Sequence, residues 1–258
     1  MLSSVNRPET AHFLSEDEKS TIKANVEAQT TDIGVVAEWQ LFFRNPLNYV
    51  WAILYVFTCT TTYSVGVFSP TFVQAFHPTW SVPDVQAQVV PIFAVSSVAC
   101  LATSILADRL DHRSGFALLG FVFTIIGFRI LRDDITDVKD VTMMSLYFIS
   151  IGTFISLPMV WNLTLLNLAT PFQRAIGVGF VVGVGNISSY IAAWVFRSSE
   201  GPAYRYGMTV GLILTCVAAV LLFFTAVCVV YQNKRLDRAE ARGEPIARPK
   251  GTVARYRI

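Results

Sequence analysis

Charge is what this sequence has little of. Only 15% of its 258 residues are Asp, Glu, Lys or Arg, against about 25% in an average soluble chain, while 53% are hydrophobic. The shortage is local: 11 of the 38 charged residues lie in 1–46, 11 lie in 232–258, and 16 are spread over the 185 residues between. A soluble fold could not solvate that middle segment, because its apolar runs would cover every face of a helix rather than one stripe. Disordered and collagen-like readings fall with it. A net charge of +2 is too small to imply a polyanion, so nucleic acid is not an expected partner. Cysteine is sparse and unpatterned: Cys59, Cys100, Cys216 and Cys228 all sit in apolar runs, without metal-site spacing or the polar setting of a secreted disulfide framework. His12, His77 and His112 are isolated, and no nucleophile–base or paired-carboxylate constellation is visible, so no enzyme activity, metal or cofactor is expected. Residues 1–30 carry Arg7, Glu9, Glu16 and Lys19 among other charges and have no apolar core. A cleavable signal peptide is therefore not expected there, and targeting falls to the first span.

What is there is a set of long apolar runs. A bilayer core about 30 Å thick needs roughly 20 helical residues, and only helices or closed barrels satisfy their backbone polar groups in it. Six windows qualify: 47–69, 85–106, 115–131, 141–162, 175–196 and 208–231. They lack the alternation of a barrel strand and are about twice as long as one. The expected fold is thus an all-α membrane protein with six transmembrane helices: a cytoplasmic segment 1–46, a membrane domain 47–231 and a cytoplasmic basic tail 232–258. Arg129, at the end of the third window, is expected to snorkel to the interface, and Pro158 to kink the fourth helix. With both termini on the cytoplasmic side, 15 basic residues lie inside and 5 outside, the asymmetry that the positive-inside rule requires. That orientation leaves the sequons at Asn162 and Asn186 without glycan.

Within the windows there is no Asp, Glu, Lys or His, and the one Arg is Arg129. Intramembrane ionisable groups mark ion and proton pathways because they are expensive in lipid, so a coupling group would have to come from elsewhere. Neutral polar residues remain as candidates for a solute cavity: Tyr63, Gln88, Trp161, Asn162, Asn186 and Tyr190. Each has a plainer alternative, since Ser and Thr in such helices bond their own backbone and Asn can join two helices. In the fifth window Gly177, Gly179, Gly183 and Gly185 include a Gly-x-x-x-Gly step at 179–183. No strand precedes it and the rhythm is not that of a dinucleotide fingerprint, so close helix packing is expected there.

Four stretches together resemble the C-terminal half of a major facilitator superfamily transporter, most closely the fungal allantoate permease family of anion:cation symporters. They are the run from Arg7-Pro8-Glu9-Thr10-Ala11 to Lys19; Asp108-Arg109 with Arg113; Pro158, Trp161-Asn162, Asn167, Arg174-Ala175 and Gly177; and Gly185-Asn186, Arg197, Pro202, Tyr204 and Gly207. The resemblance covers nearly the whole chain. It implies helices seven to twelve of a twelve-helix fold whose two halves rock about a central site. It also implies a multi-pass location, expected in the plasma membrane, and a cytoplasmic gate formed by Asp108, Arg109, Arg113 and Arg174. The expected partners are a small organic anion or vitamin-like solute, a coupling cation such as a proton, the lipid bilayer, and either an absent N-terminal half or a second copy. The alternatives are a fragment that inserts without transporting, or a membrane interaction protein, including an adaptor that uses its basic tail on anionic lipid.

Overall fold

The computed structural model describes residues 35–133, 139–168, 170–197 and 204–242, together with Ser15. Most of the stretch at 7–19, Pro202 and the tail beyond 242 lie outside the described residues. Among those described there are eight helices and no strand: α1 (Val35–Arg44), α2 (Pro46–Phe76), α3 (Val82–Leu110), α4 (Arg113–Asp133), α5 (Lys139–Leu166), α6 (Pro171–Gly185), α7 (Ile187–Val195) and α8 (Arg205–Ala241). Six helical segments are long and apolar enough to cross a membrane: Pro46–Ala75, Val82–Leu110, Arg113–Arg132, Met143–Leu166, Pro171–Val195 and Arg205–Arg238. The fifth joins α6 to α7. Each overlaps one expected window and most extend past it. At 1.5 Å per residue, the 31 residues of α2 span about 46 Å, which carries both ends beyond the hydrocarbon. Hydropathy falls at such ends while the helix continues.

Local chemistry starts these helices where they start. Asn45 Oδ1 accepts from the Leu47 N–H at 3.1 Å, with Pro46 in the first turn. The Asp84 carboxylate accepts from the Ser81 backbone N–H at 3.2 Å and from its hydroxyl at 2.5 Å. Thr170 Oγ1 accepts from the Gln173 N–H at 3.1 Å, ahead of Pro171. All three are side-chain caps on otherwise orphaned backbone donors. α3 stops at Asp111, whose left-handed backbone (φ 49°, ψ 37°) reverses the chain toward α4.

The turn at 77–81 and Tyr204 share one end of the bundle, where both border the same groove; this is the far end. The reversal at Asp111, the turn before Thr170 and α1 define the near end. Two buried clusters stack along the bundle axis. The far one includes Phe72, Ile92, Phe128, Ile149, Phe196 and Met208; the near one includes Trp51, Leu54, Phe121, Met159, Leu163 and Leu222. A small third cluster of Phe42, Leu168 and Ile176 fastens α1 to α6.

In lipid these contacts hold through van der Waals packing, which rewards close backbone approach. That approach is made by α4 and α5. A Cβ placed on Gly120 would lie 2.7 Å from Gly152 O, and one on Gly127 would lie 2.8 Å from both Ile149 N and Ser145 O. Gly152 answers from the other helix, its missing Cβ crowding Gly120 O and Thr124 Oγ1. The step expected to pack closely behaves otherwise. Nothing in the structure lies within 4 Å of a Cβ on Gly179 or Gly183, because both are on the exposed side of α6, whereas Gly177 and Gly185 on its inner side are tightly filled. Ser and Thr hydroxyls follow the plainer expectation: Thr58, Thr60, Thr62 and Ser64 each donate to the carbonyl four residues earlier. One hydroxyl pair does bridge helices, Ser96 to Ser150 at 2.8 Å.

α5 runs through Pro158 without ending. α8 does not stop at the end of the last window but continues to Ala241, carrying Lys234, Arg235 and Arg238. No Gly or Pro interrupts 232–241, and a run of good helix formers leaves the lipid still helical.

Candidate functional site

At the near end, the α3–α4 turn is a compact charged knot. Arg113 Nη2 lies 2.7 Å from Asp108 Oδ1, and Nη1 lies 3.4 Å from Asp111 Oδ1. The guanidinium side chain is largely covered, but both carboxylates are mostly exposed, so the pairs shape the turn more than they stabilise it, at about 0–1 kcal/mol. Arg109 is exposed beside them. Arg174 stands apart from the knot on α6, where its Nε donates to Leu168 O at 3.3 Å. Of the four residues expected at a gate, the structure therefore joins Asp108 with Arg113 and ties Arg174 to a different turn.

The six cavity candidates do not form one cluster. Gln88 is less than two turns from the far-end start of α3, and Asn162 is about one turn from the near-end finish of α5. Tyr63 on α2 is 38% exposed and Tyr190 on α7 is 79% exposed; Asn162 and Asn186 are exposed as well. Trp161 is the candidate that finds an aromatic partner, the ring of Tyr55 at 5.3 Å and tilted by 46°.

Tyr55 is the residue that sequence reasoning missed. Its ring also fills the space where Gly185 lacks a side chain, so that a Cβ there would lie 2.5 Å from Tyr55 Cε1 and 2.7 Å from Cδ1. At that point α6 ends, Asn186 makes the junction, and α7 begins. Asn186 N–H donates to Val182 O at 3.0 Å, while the next turn is held by Ser189 N–H to Asn186 O at 3.3 Å and by Ser188 Oγ to Gly185 O at 2.5 Å. Three helices thus meet: α2 through Tyr55, α5 through Trp161, and the α6–α7 junction through Gly185. A signal was present, since Tyr55 precedes Tyr63 by two steps of four along the same helix, which places them on adjoining parts of its surface.

A second missed residue is Glu38. It is 4% exposed and the one charged residue buried among those described. Its Oε2 accepts from the Thr170 hydroxyl at 3.1 Å, placing a carboxylate beside the N-terminus of α6, where a negative charge is favoured. It lies in α1, outside every apolar window.

The far end holds an open groove of about 680 Å³, bordered by Pro70, Gln74, Pro78, Val82, Gln86 and Tyr204. The Gln74 amide is consumed by the adjoining turn, donating to His77 O and Trp80 O at 3.3 Å each. None of the cavity candidates borders this groove. Among the described residues no group of three or more His, Cys, Asp or Glu could hold a metal ion.

The geometry defines a bundle with six helical segments long and apolar enough to cross a membrane, in which Tyr55 joins α2 to Trp161 of α5 and to Gly185 at the α6–α7 junction. No family model matches the chain. It is similar to an uncharacterized transporter of Schizosaccharomyces pombe, 26% identical over 218 residues, covering 82% of this chain and 45% of the relative. It is also similar to a high-affinity nicotinic acid transporter of Saccharomyces cerevisiae, 25% identical over 196 residues (72% and 35%). A third similarity is to a major facilitator-type transporter of Emericella nidulans, 24% identical over 238 residues (90% and 48%). The chain spans less than half the length of these curated relatives. The relatives are named as transporters, one of them of the major facilitator type, and the six apolar helices agree with a multi-pass membrane protein.

Proposed function

We propose that this chain supplies one six-helix body of a carrier that moves a small organic anion across the membrane together with a cation, a proton being the expected one. The observation that carries this reading is the set of polar and aromatic groups left exposed on the spans, Tyr63, Asn162, Asn186 and Tyr190, with Trp161 half-buried beside Tyr55. Facing acyl chains, such groups would lose water without gaining a partner. Facing an aqueous path between two bodies, they keep their hydrogen bonds and contact a solute. The nicotinic acid transporter among the relatives fits a carboxylate-bearing solute, and the stretches that resemble the allantoate permease family are read as favouring the same class. The second wall, and the titratable group that couples the cation, come from a second six-helix body. Both termini face the cytoplasm of a plasma-membrane protein, with Asp108, Arg109, Arg113 and Arg174 at the inner mouth. Residues 1–46, 47–231 and 232–258 serve as entry segment, transport domain and tail.

Uptake of radiolabelled organic acids, nicotinate included, tests this in proteoliposomes holding the chain with and without the N-terminal six-helix body of a relative. Uptake is expected with the pair, rising with an inward proton gradient and reduced about tenfold or more by Asn186→Ala, a loss of about 1.4 kcal/mol or more. No uptake from any pairing would favour a membrane interaction protein instead.

A further inference from the structure

The short helix α1 is built in three stripes. Glu38 and Phe42, one turn apart, are buried: the carboxylate meets the Thr170 hydroxyl, and the ring packs with Leu168 and Ile176. Gln40 and Arg44, also one turn apart, are exposed and polar. Between these stripes Trp39 and Phe43 are exposed too, at 45% and 39%, with their rings stacked at 5.8 Å. A free helix could roll to hide that aromatic pair, but this one is fixed. Asn48 Nδ2 donates to Phe42 O at 2.8 Å, and Tyr49 Oη donates to Phe43 O at 3.0 Å. With Glu38 and Phe42 anchored on α6, its rotation is determined.

Two observations say what covers the exposed rings. The first is position: α1 ends at Arg44, and after the single residue Asn45 the span beginning at Pro46 starts. The helix is therefore held at the level where a spanning helix enters the bilayer. The second is continuity. Phe43 and Tyr49 each meet Phe180 edge-on, at 5.6 Å and 5.9 Å, and Phe180 belongs to the span Pro171–Val195. The aromatic face of α1 thus continues, through Phe43, onto a ring of a membrane-crossing segment. Aromatic side chains favour this boundary because their rings leave water while their polar atoms stay near it.

We propose that α1 is an interfacial helix that rests Trp39 and Phe43 in the headgroup region of the leaflet at the near end of the bundle. It is pinned by Glu38 and Phe42 to the start of α6, so that the bilayer surface and the near end of that helix are mechanically joined. A helix of this kind buries its apolar side about 5–10 Å into the headgroup–acyl boundary while its charged side stays in water. The proposal rests on the spans alone and holds whatever solute is carried.

Spin labelling of the full chain tests it in vesicles of phosphatidylcholine and phosphatidylglycerol. In a background with Cys59, Cys100, Cys216 and Cys228 replaced by alanine, Trp39→Cys, Phe43→Cys and Gln40→Cys are each labelled with a nitroxide. Relaxation is then compared with dissolved oxygen, which concentrates in lipid, and with a water-soluble nickel chelate. Oxygen is expected to dominate severalfold at positions 39 and 43, and nickel at 40, a reversal within one turn that only a folded, oriented helix can produce. Nickel dominance at 39 and 43 would put the face in water and overturn the proposal. Low accessibility to both reagents would overturn it as well, by showing that protein, such as a second six-helix body or a second copy, covers the rings.

Discussion

Gly152 and Gly183 are the same residue type in similar apolar helices, yet their surroundings assign them opposite sensitivities. A Cβ on Gly152 would crowd Gly120 O and stand 2.6 Å from Thr124 N; both are backbone atoms, so relief requires the two helices to separate. Gly152→Ala should therefore cost at least the 1–3 kcal/mol or so typical of an overfilled core. Gly183→Ala meets open space and should be neutral or gain up to about 1 kcal/mol from helix propensity. Thermal unfolding in detergent, followed by loss of the monodisperse gel-filtration peak, reads both variants. Equal loss of stability in the two would contradict the assignment of the α4–α5 contact as the tight one.

At the scale of elements, the α6–α7 junction depends on a neighbour in a different helix. Gly185 ends α6 under the ring of Tyr55, and that ring in turn leans on Trp161. Gly185→Ala should push α2 and α6 apart and lower stability by roughly 1–3 kcal/mol. Tyr55→Leu, by removing the ring, should recover a good part of that loss in the double variant although it is destabilising alone. Coupling of this sign between contacting residues is what a double-mutant cycle on the two positions measures. Strict additivity would show that the ring and the glycine do not share their space. The same junction is where one apolar window becomes two helices: Asn186 keeps helical dihedrals and its bond to Val182, but the next backbone bond, from Ser189 to Asn186, closes over three residues instead of four.

For the whole molecule, the alternation of six spans puts Ser81 and His112 at opposite ends of the bundle. Cysteine introduced at either site, in the cysteine-free background, should react with an impermeant maleimide from opposite sides of intact cells: Ser81→Cys from outside and His112→Cys only after permeabilisation. Labelling of both from one side would break the proposed orientation and the alternation together.

Membrane residence and the number of crossings were determined by the sequence alone, because lipid leaves a 20-residue apolar run one backbone solution. The caps at Asn45, Ser81 and Thr170 went unread, although a cap is a property of a few adjacent residues. The reversal at Asp108–Arg113 was visible as a charged break, although its ion pairs were not. Only the tertiary structure decided which glycines pack, that Tyr55 rather than a more polar residue meets Trp161, and that Glu38 lies buried against Thr170 132 residues away. The reason is physical. In lipid, hydropathy no longer distinguishes inside from outside, so a helix that is apolar all round carries no mark of which face its neighbours will cover, and van der Waals fit alone chooses among them.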